Sequence, residues 1–272
     1  MKDSERFPVP DHKVVVDTPG WRRIKPRIPD TPQRRRLERQ RSIREVVFGI
    51  QDGILTTLGI VTGVGEAEGK QWLVVISGVL GLISGALSMG VGEYLGSKAE
   101  REVVQAAIET ERSEMEAHPQ DEFAEQVAYY KLKGFSAEEA DMIVRRLAQN
   151  PEIYLHEMIR DEFGIDPRIA EQTGLRGPLA MASSFAIGAL LPIIPYLTPL
   201  NARWTLVASL LLAVAGLFGI GFYAGVLGER NPWRKGMEIV LFGAAVFAIS
   251  WIAGRYIPPL LGHQPAGLIG AG

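Results

Sequence analysis

Asp52 lies inside an apolar run, Val46–Val64, that holds no other charge. An ionised carboxylate in hydrocarbon costs roughly 3 kcal/mol on insertion scales, so a chain that keeps one there has a compensating partner or a use for it. The default reading of such a residue is a site on an ion pathway. Met89 lies in the next apolar run. Both residues are about six positions from the same end of their runs, which places each roughly 9 Å into a bilayer from one side. Glu93 is one turn below Met89, and Glu45 is two turns below Asp52. Together the four form an acidic path toward Asp52. Taken singly, Met89 also reads as packing, and Glu45 and Glu93 as carboxylates snorkelling to the interface. Asp52 has no comfortable structural role.

A second group of acids follows. Glu111 and Glu114 are three apart, as are Glu122 and Glu125, and Met158 and Glu162 are four apart. Each pair occupies one face of a helix. Facing glutamates from several helices are how bundles build carboxylate metal sites, and a thioether among oxygens favours a transition metal over calcium or magnesium. Acidic pairs at this spacing are more often solvated faces, and spacing leaves both readings open.

The elements that must position these residues are membrane spans. The chain has 272 residues, 47% hydrophobic and 22% charged, and these averages mix two classes of segment. About 20 consecutive apolar residues cross a bilayer, and five stretches qualify: 46–66, 72–96, 178–198, 204–228 and 236–257. The expected fold is all-α, a polytopic membrane protein with a helical insert between the second and third spans. The organisation is a basic disordered arm over 1–44, spans 1 and 2 over 45–96, the insert over 97–176, spans 3 to 5 over 177–257, and a flexible tail over 258–272.

The arm carries thirteen Lys and Arg residues and fits a solvated tail or a contact with anionic headgroups. It is poor in interleaved aromatics, so no nucleic acid partner is expected. Positive residues stay cytoplasmic, which puts the N-terminus and the insert inside. The loop Gly65–Lys70 is then outside, short and acidic. Trp72, Tyr196, Trp204 and Tyr256 fall near span ends, where amphipathic aromatics sit. GxxxG pairs at Gly49/Gly53, Gly59/Gly63, Gly81/Gly85 and Gly221/Gly225 allow close helix approach within the bundle or across a dimer seam. Pro192 and Pro195 predict a kink in the third span that could line a cavity. The insert reads as about four helices. Ser97–Ala117 continues the second span. Asp121–Lys133 is stopped by Gly134. A capping box at Ser136–Glu139 opens the next helix, and Asn150-Pro151 opens the last.

The chain has no cysteine, which excludes thiolate metal sites and disulfides. It has no phosphate-binding glycine loop and no hydrolase triad, so it is not read as an enzyme, and energy for transport would come from a gradient.

The segment Phe48–Thr57, the segment Ser84–Leu95 and the segment Leu191–Tyr196 resemble the three helix motifs of the vacuolar iron transporter family, which takes in plant vacuolar transporters, the yeast vacuolar iron importer and nodulin-like proteins. The likeness runs from about 43 to 257. It implies a homodimer of five-helix subunits that moves Fe2+, and often Mn2+, out of the cytosol against protons. It implies no permanent cofactor: metal is cargo, also bound by a cytoplasmic insert through Glu111, Glu114, Glu122, Glu125 and Glu162 with Met158 beside them. Asp52 and Met89 fall on its translocation residues. The membrane is the plasma membrane if the source is bacterial, and a vacuolar or other organelle membrane if eukaryotic. Two departures stand out: Gly81 occupies the place of a second intramembrane glutamate in plant members, and Met158-Ile159 the place of paired methionines. The rival reading is a membrane-anchored iron sensor or sequestration protein, which would have no need of Asp52.

Overall fold

The computed structural model describes residues 32–167, 169, 174–228 and 230–265, with side chains from Ile43 onward. Among these, every regular element is a helix: α1 (Pro32–Glu68), α2 (Gln71–Ala117), α3 (Pro119–Leu132), α4 (Ala137–Leu147), α5 (Pro151–Glu162), α6 (Arg176–Ile193, continued by a 3-10 turn Ile194–Leu197), α7 (Ala202–Leu227) and α8 (Pro232–Leu260). Five are long and apolar enough to cross a membrane, namely α1 from Ile43, α2, α6 with its 3-10 turn, α7 and α8. At 1.5 Å per residue α2 is about 70 Å long, more than twice a hydrocarbon core. Only its first half has the composition of a span.

The expected disorder of the arm falls mostly on residues outside the described set, but from Pro32 the arm is already helix. Proline suits a first helical position, and no breaker interrupts the residues between it and Glu68. The loop between the first two spans is also shorter than expected. Glu66 and Glu68 belong to α1, leaving Gly69 and Lys70 between the helices, with Gly69 at φ +64°.

The chain divides into two compact units. The larger holds α1, α2 as far as Leu95, and α6 to α8. Its core joins Ile54 and Leu58 of α1 to Ala213 and Leu217 of α7 and Ile239 of α8. A second cluster joins Val61, Val74, Ile193 and Tyr196. Tyr196 is therefore core, at 4% exposure. Trp72, Trp204 and Tyr256 are exposed, as an interfacial position requires. Pro192 and Pro195 are buried, and Ser209 of α7 donates to the Pro192 carbonyl at 2.8 Å, so a hydroxyl from the neighbouring helix does the work of solvent.

The GxxxG glycines act inside the subunit. A Cβ on Gly53 would come 2.1 Å from the Phe185 carbonyl oxygen, and one on Gly188 2.1 Å from that of Ile50. α1 and α6 therefore meet backbone to backbone. Gly59 and Gly63 face Ser250 of α8, and Gly221 and Gly225 face the start of α8. Gly81 packs on the Ile60 side chain and Gly85 on the Phe185 ring.

The smaller unit holds α2 from Gly96 with α3, α4 and α5. The Ser136 hydroxyl accepts from Glu139 N, and the Glu139 carboxylate accepts from Ser136 N. Asn150 caps α5. Gly134 and Gly164, at φ +100° and +65°, end their helices in a conformation that side chains disfavour. Phe123, Val144, Tyr154 and Met158 form the core.

Alanine at Gly53 would have to push α1 and α6 apart, at a cost of about 1–3 kcal/mol. Gly92 has nothing within 4 Å of a built Cβ, and alanine there should gain roughly 0.5–1 kcal/mol of helix propensity. Gly53→Ala is expected to lower the thermal midpoint and the monodisperse yield on fluorescence-detected size exclusion, and Gly92→Ala to preserve both. Equal behaviour of the two variants would mean that the α1–α6 contact is not tight.

Candidate metal sites

In the larger unit the acids cluster along α1 and α2. Asp52 is half-buried, and its carboxylate makes no hydrogen bond or ion pair with a described residue. Met89 is half-buried on α2. Glu45 and Glu93 lie two turns and one turn below them, and these two are brought together: a Cβ on Gly177, at the start of α6, would sit 3.9 Å from Glu45 Oε2 and 3.6 Å from Glu93 Oε1. Two carboxylates from different helices thus share a small space that glycine leaves open.

Sequence reasoning missed the acid at the far end of α1. Glu66, treated as a loop residue, is 2% exposed and pairs with Arg255 of α8 at 3.5 Å. Its signal was Arg255, a cation inside the fifth apolar run. A buried charge that reaches a partner of opposite sign is a structural feature, and here it ties the ends of α1 and α8 together.

In the smaller unit the five predicted glutamates act on one another. Glu111, near the end of α2, is 1% exposed, and neither carboxylate oxygen has a hydrogen-bond partner. Its carboxyl is pushed up to about 8, first by burial, then by Glu162 of α5 and Glu122 of α3. Glu122 is also raised, by burial and by Glu125 and Glu114. Glu125 is raised by burial, Glu162 and Glu114. Ionised carboxylates are acceptors only, so these groups satisfy one another only by sharing a proton or a cation. Nearby Asp161 is the counterexample. It accepts from Gln126 at 2.7 Å and Lys133 at 2.5 Å, which makes it structural.

Met158 is 3% exposed and packs in the apolar cluster with Tyr154. Among the described residues, no three His, Cys, Asp or Glu side chains stand in a metal-holding arrangement. The donor chemistry is nonetheless right for a hard or borderline divalent cation, because Glu111 has two buried oxygens and no donor. Tyr154 is a further residue that the spacing argument overlooked. Its hydroxyl is buried without a partner, and its place one turn before Met158 was the available sign.

A family model described as the VIT family matches residues 43–255. Vacuolar iron transporter 1 of Arabidopsis thaliana is 27% identical over 218 residues, covering 79% of this chain and 86% of that protein. Vacuolar iron transporter 1 of Oryza sativa is 29% identical over 212 residues, covering 77% and 82%. Protein CCC1 of Saccharomyces cerevisiae is 27% identical over 219 residues, covering 78% and 67%. The family match takes in both acidic clusters and all five apolar helices, and this chain belongs to the VIT family.

Proposed function

We propose that the chain carries Fe2+, with Mn2+ as a second substrate, out of the cytosol in exchange for protons. The observation that carries this reading is Asp52, a carboxylate within an apolar helix that has no hydrogen-bond or ion-pair partner among the described residues. A group of that kind binds either a proton or a cation, and alternation between the two couples their fluxes. The names of the plant relatives support iron as the cargo. The basic residues of the arm favour an inside N-terminus, so Glu45 and Glu93 form the cytoplasmic mouth of the pathway, with Asp52 and Met89 deeper. The reading includes a homodimer. α2 is the least buried of the five spans, at 11%, and exposes Leu80, Ile83, Leu87 and Val91.

The insert gathers metal before transport. Glu111, Glu114, Glu122, Glu125 and Glu162 supply oxygens, and Met158 supplies a soft contact. Buried Glu111 is the centre of this set, with Glu162 and Glu122 beside it.

Asp52→Asn keeps shape and removes charge. Fe2+ uptake by proteoliposomes holding this variant is expected at background, with size-exclusion behaviour unchanged. Wild-type flux would refute the role of Asp52. Retained metal binding with no transport by the unsubstituted chain would favour a sensor or sequestration protein instead.

Glu111 separates metal binding from structure by sign. In the fold it holds its proton to about pH 8, against 4.5 in an unfolded chain. The folded state therefore binds more protons between those values, and the stability of the metal-free protein falls as pH rises through that window. Metal must displace the proton, so affinity should rise over the same window, with protons released on binding. Glu111→Gln is expected to flatten the decline in thermal midpoint, raise the midpoint at pH 8, and weaken Mn2+ binding about tenfold or more. A lower midpoint at pH 8 with unchanged binding would make Glu111 a structural residue.

Changing Glu111, Glu114, Glu122 and Glu125 together to Gln should abolish the insert's metal binding while transport is reduced but not lost. Calorimetry on the Asp52→Asn background, where the membrane site is silent, isolates the insert. Unchanged heats in the quadruple variant would mean that these are solvated charges.

A further inference from the structure

Tyr154 is an anomaly in the smaller unit. It is 6% exposed, and its hydroxyl is buried without a hydrogen-bond partner among the described residues. Buried tyrosine hydroxyls normally find one. The ring is accounted for, packed with Phe123, Val144 and Met158. The oxygen is not. A phenylalanine would fill the same apolar space without the cost of burying a polar atom.

The surroundings of the hydroxyl supply a use. After burial, the groups that hold the Tyr154 phenol protonated above its usual range are Glu122, then Glu111, then Glu125. These are three of the five acids assigned to the metal centre, contributed by α2 and α3, whereas Tyr154 stands on α5. On α5 the positions 154, 158 and 162 are successive i, i+4 neighbours, so a hydroxyl, a thioether and a carboxylate follow one another along one side of the helix. Glu111 completes the picture, because both of its oxygens are buried and lack a donor. A neutral phenol is a donor, and an ionised carboxylate can only accept.

We propose that Tyr154 is a positioning residue of the insert's metal centre, its hydroxyl donating to a carboxylate of the Glu111–Glu122 pair and fixing which oxygens face the cation. The inference rests on the metal-centre reading given under Proposed function. Donors behind metal ligands orient them and tune their basicity, and their removal commonly costs 10- to 100-fold in affinity. That role separates Tyr154 from a tyrosine that only fills the core.

The test uses the full-length chain carrying Asp52→Asn, with Mn2+ as the probe in equilibrium dialysis. Tyr154→Phe removes one oxygen and keeps the ring. The expected result is a Kd weakened about tenfold, with a metal-free thermal midpoint equal to or above that of the parent. A near-ultraviolet tyrosine difference spectrum on Mn2+ addition should appear in the parent, persist in Tyr129→Phe and vanish in Tyr154→Phe. Tyr129 is the control, a phenol also acted on by Glu125, Glu162 and Glu111 but half-buried, whereas Tyr154 is buried. An unchanged Kd together with a retained difference spectrum in Tyr154→Phe overturns the inference and leaves the metal centre standing. Absence of Mn2+ binding by the parent overturns the metal-centre reading, and the inference with it.

Discussion

A carboxylate removed from water must find a proton, a donor or a cation, and this requirement sorts the acids of the chain. Glu66 reaches Arg255. Asp161 accepts from Gln126 and Lys133. These are answered within the fold, and their burial is a structural feature. Asp52 is not answered among the described residues, and Glu111 meets only other carboxylates. An acid left with a demand that the protein itself does not meet is one the protein keeps for something that arrives from outside. The two unanswered acids lie in different compact units of the chain.

The scaffold around Asp52 is stiff. Gly53 and Gly188 bring α1 and α6 to backbone contact, and Ser209 closes the hydrogen-bond gap beside Pro192. Asp52 is adjacent in sequence to Gly53, so its height and direction are set by the tightest contact in the bundle. α2 meets α1 and α6 through side chains instead, Ile60 at Gly81 and Phe185 at Gly85. Side-chain contacts slide more readily than backbone contacts do. This places the departure at Gly81 in a physical frame, since the position packs against Ile60 and the chain spends it on helix contact rather than on a ligand.

Much of this was legible in the sequence because it depends on local rules. Asp52 stood out from its apolar run, the capping box at Ser136 and the Asn150-Pro151 start set helix ends, and glutamate spacing placed pairs on common faces. What escaped was non-local. Glu66 read as a loop residue because only the fold brings Arg255 to it. Tyr196 read as an interfacial aromatic because nothing near it in the chain reveals the Val61–Val74–Ile193 pocket. The helix over 32–44 was hidden by the charge of its arginines, which argue for solvent but not against helix. Tyr154 went unnoticed because its ring suits a core, and only the unpartnered oxygen gives it away.

The most direct test follows iron and protons together in proteoliposomes holding the unsubstituted chain under an imposed pH gradient. The account predicts Fe2+ accumulation that scales with the gradient, collapses with a protonophore, and is matched by proton movement in the opposite direction. Fe2+ accumulation indifferent to the gradient, or Fe2+ binding with no accumulation at all, would contradict it.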